Sequence, residues 1–364
     1  MHSLSLLLLS FCLSFPSLEA ANWCYDVQNT SCGSSTWKTD YPACGRLKQS
    51  PINIVTADAK IDTRLAPIVF EGYDKPNTTE MWIVENDGHT FRMALKGNIR
   101  IKGGNLPNTY KAVEFHFHWG SESSAGSEHM INGHQYPMEM HIVHHNEKYS
   151  SLTNALKHSD GVAVLGFLFS ETPAENVNIR HLVNFLKMIK NSGSNALVTP
   201  FALSKIIPDK TKLIKYYRYE GSLTNPGCNE AVIWTVFSES IPFNKKQRNE
   251  FSTSLLFSDL KPMNLNFRPV QKLNDRAVYV SSVRLFNAVW LPIPISQTVQ
   301  ENTADACIVK QKQQIAGQTQ LGQVVCGERS RVPSQLNDLA VKSQSRVSLS
   351  LVLKLCDRLS TRFQ

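Results

Sequence analysis

Between Ser50 and about Val280, apolar residues come in short bursts closed by Gly, Pro or Asn, a pattern of strands rather than long helices. The bursts predict strands at residues 81–84, 91–95, 99–101, 112–119, 138–145, 162–169 and 231–237. The segment 162–169 is apolar throughout, as expected of a strand covered on both faces. Two stretches carry helical spacing instead, 179–190 and 245–256, the second following Pro242. Residues 22–50 are polar and turn-rich. Beyond Arg284 the bursts stop: residues 297–345 are rich in Gln, Ser, Asn and Thr, and the apolar stretch 347–355 is short and interrupted by Lys354. The pattern predicts a mixed, β-dominated single domain over 21–285, decorated by short peripheral helices, and a loosely ordered, divergent tail over 286–364.

The first residues belong to neither. Leu6, Leu7, Leu8, Leu9, Phe11, Leu13 and Phe15 lead through Pro16 to a small residue, Ala20, which reads as a secretory signal peptide over 1–20. No other run reaches the ~18 apolar residues of a membrane-spanning helix. With 42% hydrophobic and 19% charged residues, the composition excludes a wholly disordered or multi-span membrane chain. The net charge of +8 is spread without a basic run, so it reads as a solvated surface and not as a nucleic-acid interface.

A secreted chain changes the reading of its cysteines. Cys24, Cys32, Cys44 and Cys228 can form two bridges in any of three pairings, while Cys307, Cys326 and Cys356 leave an odd thiol. Asn29 and Asn77 each open an Asn-x-Ser/Thr glycosylation acceptor.

Candidate chemistry lies in Glu114-Phe115-His116-Phe117-His118-Trp119-Gly120 and in Met138-Glu139-Met140-His141-Ile142-Val143-His144. On a strand, His116 and His118 share one face because side chains alternate. If the second strand pairs with the first, His141 completes a set of three imidazoles, leaving one tetrahedral position for water, as in catalytic zinc sites. Two same-face histidines are also what an ordinary core or surface pair looks like. Glu139 shares a face with His141 and is placed either to orient a ligand or to stand exposed on the strand.

Six segments extend this pattern: Ser50-Pro51-Ile52-Asn53-Ile54, Asn86-Asp87-Gly88-His89, the His116 segment, Gly126-Ser127-Glu128-His129, the His141 segment, and Gly221-Ser222-Leu223-Thr224. In this order and spacing they strongly resemble the α-class carbonic anhydrases over about residues 22–280. Trp23-Cys24-Tyr25 and Cys44-Gly45-Arg46 are similar to its extracellular, membrane-anchored type IV and type XV branch. The resemblance implies a central, mostly antiparallel twisted sheet of about ten strands, with Zn2+ at the bottom of a cone held by His116, His118 and His141. Zinc lowers the pKa of its water to ~7, a value for which this same family is the reference case, and the hydroxide attacks CO2 to give bicarbonate. Thr224 matches the residue that accepts the hydroxide's proton, and Glu128 the carboxylate that accepts from Thr224, so a lone pair is turned toward CO2. The Thr224 backbone N–H would hold the substrate or an anion.

His89 matches the proton shuttle, a role that suits an imidazole titrating near neutral pH, and Tyr25 an active-site tyrosine beside the solvent chain. Val143, Val164, Leu223, Val232 and Trp234 would form the apolar wall for CO2. Glu114 matches the partner of the first ligand, and Asn266 supplies a backbone carbonyl to the second. The bridges implied are Cys24–Cys32 and Cys44–Cys228. A monomer that binds sulfonamide-type and anion inhibitors is expected.

Departures from the family pattern are confined to tuning positions and the tail. Glu114 stands where most members have Gln, Asn225 where Thr is usual after Thr224, and Asp87 where Asn is common. Residues 356–364 are too charged for the apolar terminal run of a lipid-anchor signal. Secretion is therefore expected, with surface anchoring confined to another form of the protein. The alternative function is a catalytically silent, carbonic-anhydrase-like extracellular binding module. Such relatives lack a zinc histidine, whereas His116, His118 and His141 are all present here, with Thr224 and Glu128.

Overall fold

The computed structural model describes residues 23–282 and the backbone of two later strands, Ala306–Val309 and Val324–Gly327. Residues 1–20, expected to be a signal peptide, and the remainder of the tail lie outside the described residues. The chain divides into two units, Met1–Asn287 and Ala288–Gln364. In the second, the two strands pair antiparallel with Cys307 opposite Cys326.

In the first unit, ten strands form one continuous sheet. In chain order they are β1 Lys60–Asp62, β2 Trp82–Asn86, β3 Phe91–Ala94, β4 Tyr110–Trp119, β5 Met138–Asn146, β6 Val162–Glu171, β7 Asn195–Val198, β8 Tyr216–Gly221, β9 Val232–Phe237 and β10 Tyr279–Ser281. Their spatial order is β7-β2-β3-β4-β5-β6-β9-β8-β10-β1. Only β6–β9 and β10–β1 run parallel along this path. Three further strands, Ile68–Glu71, Arg100–Gly103 and Ile241–Phe243, attach beside it. The β-dominated mixed sheet is the expected class.

Alternation along β4 and β5 separates two jobs. Phe115 and Phe117 enter one apolar cluster with Met140, Ile142, Leu165 and Phe167, while His116, His118 and His141 take the opposite face. On that second face a smaller cluster of Val143, Val164, Tyr219 and Trp234 packs beside the histidines. Fully covered central strands make this region stiff, which is what a metal site needs from its scaffold.

The helices are shorter than their sequence spacing. The first, α1, spans Arg180–Leu186; Met188 and Ile189 then bond back three residues, so the apolar stripe continues as a tight turn. The second, α2, spans Lys245–Ser254 and starts with a reciprocal capping box between Asn244 and Gln247. Two disulfides close the N-terminal segment: Cys24–Cys32 locally, and Cys44–Cys228 across 184 residues.

Candidate metal centre

The register of β4 against β5 builds the site: His141 lies opposite His116, and Glu139 opposite His118. One nitrogen of each ring is engaged elsewhere. His116 Nδ1 meets both Glu114 oxygens at 3.0 Å, His118 Nδ1 donates to the Asn266 carbonyl at 2.8 Å, and His141 Nε2 donates to Glu139 Oε1 at 2.7 Å. The remaining nitrogens converge, and ligand atoms of the three histidines lie within 4.8 Å of one another. His116 Nε2 and His141 Nδ1 are 3.3 Å apart, and the buried His118 Nε2 has no hydrogen-bond partner. Three lone pairs aimed at one point, each ring oriented by an acceptor behind it, fit a divalent metal.

Burial favours the neutral form of two of the ligands, the form metal binding requires. It holds His118 well below the usual imidazole range and brings His141 down to about 4. At His116 burial also pushes down, but the Glu114 charge and hydrogen bond outweigh it and raise the ring. Burial would raise Glu139, yet the facing His129 and His141 hold it well below the carboxylate range.

A second acidic-imidazole group, His129, Glu139 and His141, has a different character. Glu139 Oε1 accepts from His129 Nδ1 and His141 Nε2, and Oε2 from the backbone N–H groups of Glu128 and His129. With its acceptor sites filled, this carboxylate is a buttress rather than a ligand.

A cavity of about 250 Å3 opens over the three histidines. Its apolar side is Val143, Leu152, Val164, Leu223 and Trp234; its polar side includes Asp87, His89, Arg92, Glu114 and Thr224. A larger cleft, about 700 Å3, is lined by Arg218 and Arg276 but has its rim charges matched, as in Arg64–Asp62 and Lys48–Glu220. It gathers no convergent ligand set.

Comparison with known proteins then settles the family. A model of the eukaryotic-type carbonic anhydrases matches residues 32–282. The chain is 40% identical over 282 residues to carbonic anhydrase 4 of Oryctolagus cuniculus, covering 76% of this chain and 89% of that protein. It is 39% identical over 290 residues to carbonic anhydrase 15 of Mus musculus, covering 75% and 89%. Against carbonic anhydrase 12 of Homo sapiens the figure is 34% over 292 residues, covering 77% and 80%. The chain belongs to the eukaryotic-type carbonic anhydrase family. It is thus an enzyme of a lyase family whose general activity is zinc-dependent hydration of CO2.

Within the carbonic anhydrase framework, most residues singled out from the sequence meet at this cavity. Thr224 is buried on its wall, and its hydroxyl favours the ionised form of Glu128, although burial dominates and pushes that carboxyl well up. Glu128 Oε1 accepts the Arg268 N–H at 2.8 Å, whereas Oε2 has no hydrogen-bond partner and faces His118 Nε2 at 3.4 Å. His89 stacks on Trp23, with ring centroids 3.7 Å apart and planes 12° apart. Burial lowers its pKa, and the nearby Asp87 acts against that. Tyr25 is buried beside both rings. Asn29 and Asn77 occupy exposed turns in which each side chain accepts from the acceptor Ser or Thr two residues on.

Two positions differ from expectation. Val232 does not line the cavity: two residues from Trp234 on the same face of β9, it is covered within the cluster of Val143, Val162 and Val164, and Leu152 lines the cavity instead. Asn266 contributes more than a carbonyl that any residue has. Its side-chain oxygen accepts the Trp119 N–H, and its amide donates to the His89 carbonyl, tying the second ligand to the His89 turn. Sequence reasoning passed over His129, Trp23 and Tyr219. The Tyr219 hydroxyl joins His129 Nε2, at 2.7 Å, to Ser50 Oγ. Adjacency to Glu128 and Tyr25 was the available signal for the first two.

Proposed function

We propose that the chain hydrates CO2 reversibly to bicarbonate and a proton, with Zn2+ held by His116, His118 and His141. The observation that carries this reading is the convergence of three imidazole nitrogens, one of them buried without a partner. When bound, zinc supplies a Lewis acid that brings water's pKa to ~7, carbonic anhydrase itself being the reference case. The chain's residues do the rest. Val143, Leu152, Val164, Leu223 and Trp234 hold a small apolar substrate against the ligand cluster. Thr224 orients the attacking oxygen by committing its own proton to Glu128, and its backbone N–H holds the substrate or an anion. His89 relays the released proton to solvent from the cavity mouth, with Tyr25 beside that route.

The catalytic unit is 21–285, following a signal peptide at 1–20 and preceding the divergent tail 286–364. Entry into the secretory pathway is supported by Cys24–Cys32 and Cys44–Cys228, bridges of an oxidising compartment. The exposed Asn29 and Asn77 turns suit glycosylation there. Among the described residues no helix is long and apolar enough to cross a membrane. Sulfonamide-type and anion inhibitors would occupy the cavity of what we read as a monomer. Metal analysis tests the reading: one zinc per chain is expected, lost in His118→Ala, and a chain without zinc would overturn it.

A further inference from the structure

One row of side chains crosses the sheet to the ligands. Register places Glu85 on β2 opposite Arg92 on β3, Arg92 opposite His116 on β4, and His116 opposite His141 on β5. Residues paired in this way share a face, so Arg92 stands on the metal side. Arg92 Nε donates to Glu85 Oε1, and the guanidinium forms an ion pair with the same carboxylate, which clamps it. Glu114 lies two residues before His116 and is therefore diagonal to Arg92, within reach of a long side chain. Both line the cavity. Glu114 and Glu85 both stabilise the charged Arg92, and Arg92 in turn opposes the upward pull of Glu114 on His116.

We propose that Arg92 is a positioning residue for the metal that acts through Glu114. A carboxylate behind a ligating imidazole makes it a stronger donor. The clamped guanidinium limits how much of that charge reaches His116. Glu114, the charged replacement for the usual amide, is thereby offset by a cation built into the adjacent strand. Without Arg92, the ligand set would hold a divalent cation more tightly.

This inference rests on the three-histidine zinc reading, and zinc transfer to an excess of chelator tests the two separately. The purified full chain is loaded with zinc alone, and the release rate is compared among variants. E114Q, which keeps an acceptor for His116 but removes its charge, is expected to release zinc faster, by less than the roughly tenfold of losing that partner altogether, and R92Q about threefold slower. R92K, which keeps the charge, should release zinc at the wild-type rate. In the E114Q background, R92Q should lose its effect, which is the signature of action through Glu114. E85Q supplies a test that survives misfolding of R92Q: freeing the guanidinium toward Glu114 should speed release, opposite in sign to R92Q. A common direction for E85Q and R92Q, or an R92Q effect undiminished in E114Q, would overturn the inference while leaving the zinc site standing. A wild-type chain that takes up no zinc would overturn both.

Discussion

Each metal-facing histidine is held by a different kind of partner: a carboxylate at His116, a backbone carbonyl at His118 and a saturated buried carboxylate at His141. Thr224 is separable from this set because it lines the cavity without bonding to any ligand ring. Thr224→Ala should therefore keep its zinc while kcat/KM for hydration falls about 100-fold, as on loss of one orienting group; metal analysis beside stopped-flow kinetics checks this. Lost zinc would show instead that Thr224 supports the ligands. The histidines were readable in sequence because strand periodicity of two puts His116 and His118 on one face. The side-chain bonds of Asn266, and Tyr219 altogether, were not, since their partners lie far along the chain, at His89 and at Ser50. Val232 and Leu152 could not be told apart either: both are apolar, and only the packing decides which one borders the cavity.

At the scale of elements, the central strands carry the site and their spacing is tight. Gly166 on β6 lies opposite His141, and a Cβ there would meet Glu139 Oε1 at 3.2 Å. Gly166→Ala should push Glu139 off His141 and speed zinc release, toward the 10–100-fold range known for such supporting contacts. Chelator transfer kinetics measure it, and an unchanged rate would mean that β6 yields without disturbing Glu139. These long apolar strands were legible from sequence. The strand β8 was not: its Tyr-Tyr-Arg-Tyr-Glu-Gly run buries Arg218, which bonds to Gly104 and Thr235. Such a strand lacks the alternation that reveals its neighbours. The short edge strand β1 depends on β10, Tyr279 against Lys60, while β10 is itself held on its other side by β8.

For the whole molecule, the Cys44–Cys228 bridge joins the N-terminal segment to the loop beyond Thr224. Cys44→Ser with Cys228→Ser should lower unfolding free energy by about 2–5 kcal/mol, read by denaturant titration. Acid should destabilise the fold through His144, which lies outside the ligand set. Its ring is fully buried between the Tyr73 hydroxyl and the Ala163 carbonyl, and burial lowers its pKa from 6.5 to about 3. The unfolded chain thus binds a proton that the folded chain refuses. His144 therefore costs stability progressively as pH falls from 6.5 toward 3. His144→Gln should flatten the dependence of Tm on pH across that window, and an unaltered slope would place the acid sensitivity elsewhere.

The decisive experiment is stopped-flow CO2 hydration by the purified chain, with and without a zinc chelator, beside His118→Ala. The structure predicts hydration that the chelator abolishes, that added zinc restores, and that the variant lacks. A chain holding one zinc but hydrating no CO2 would contradict it and favour a carbonic-anhydrase fold used for binding.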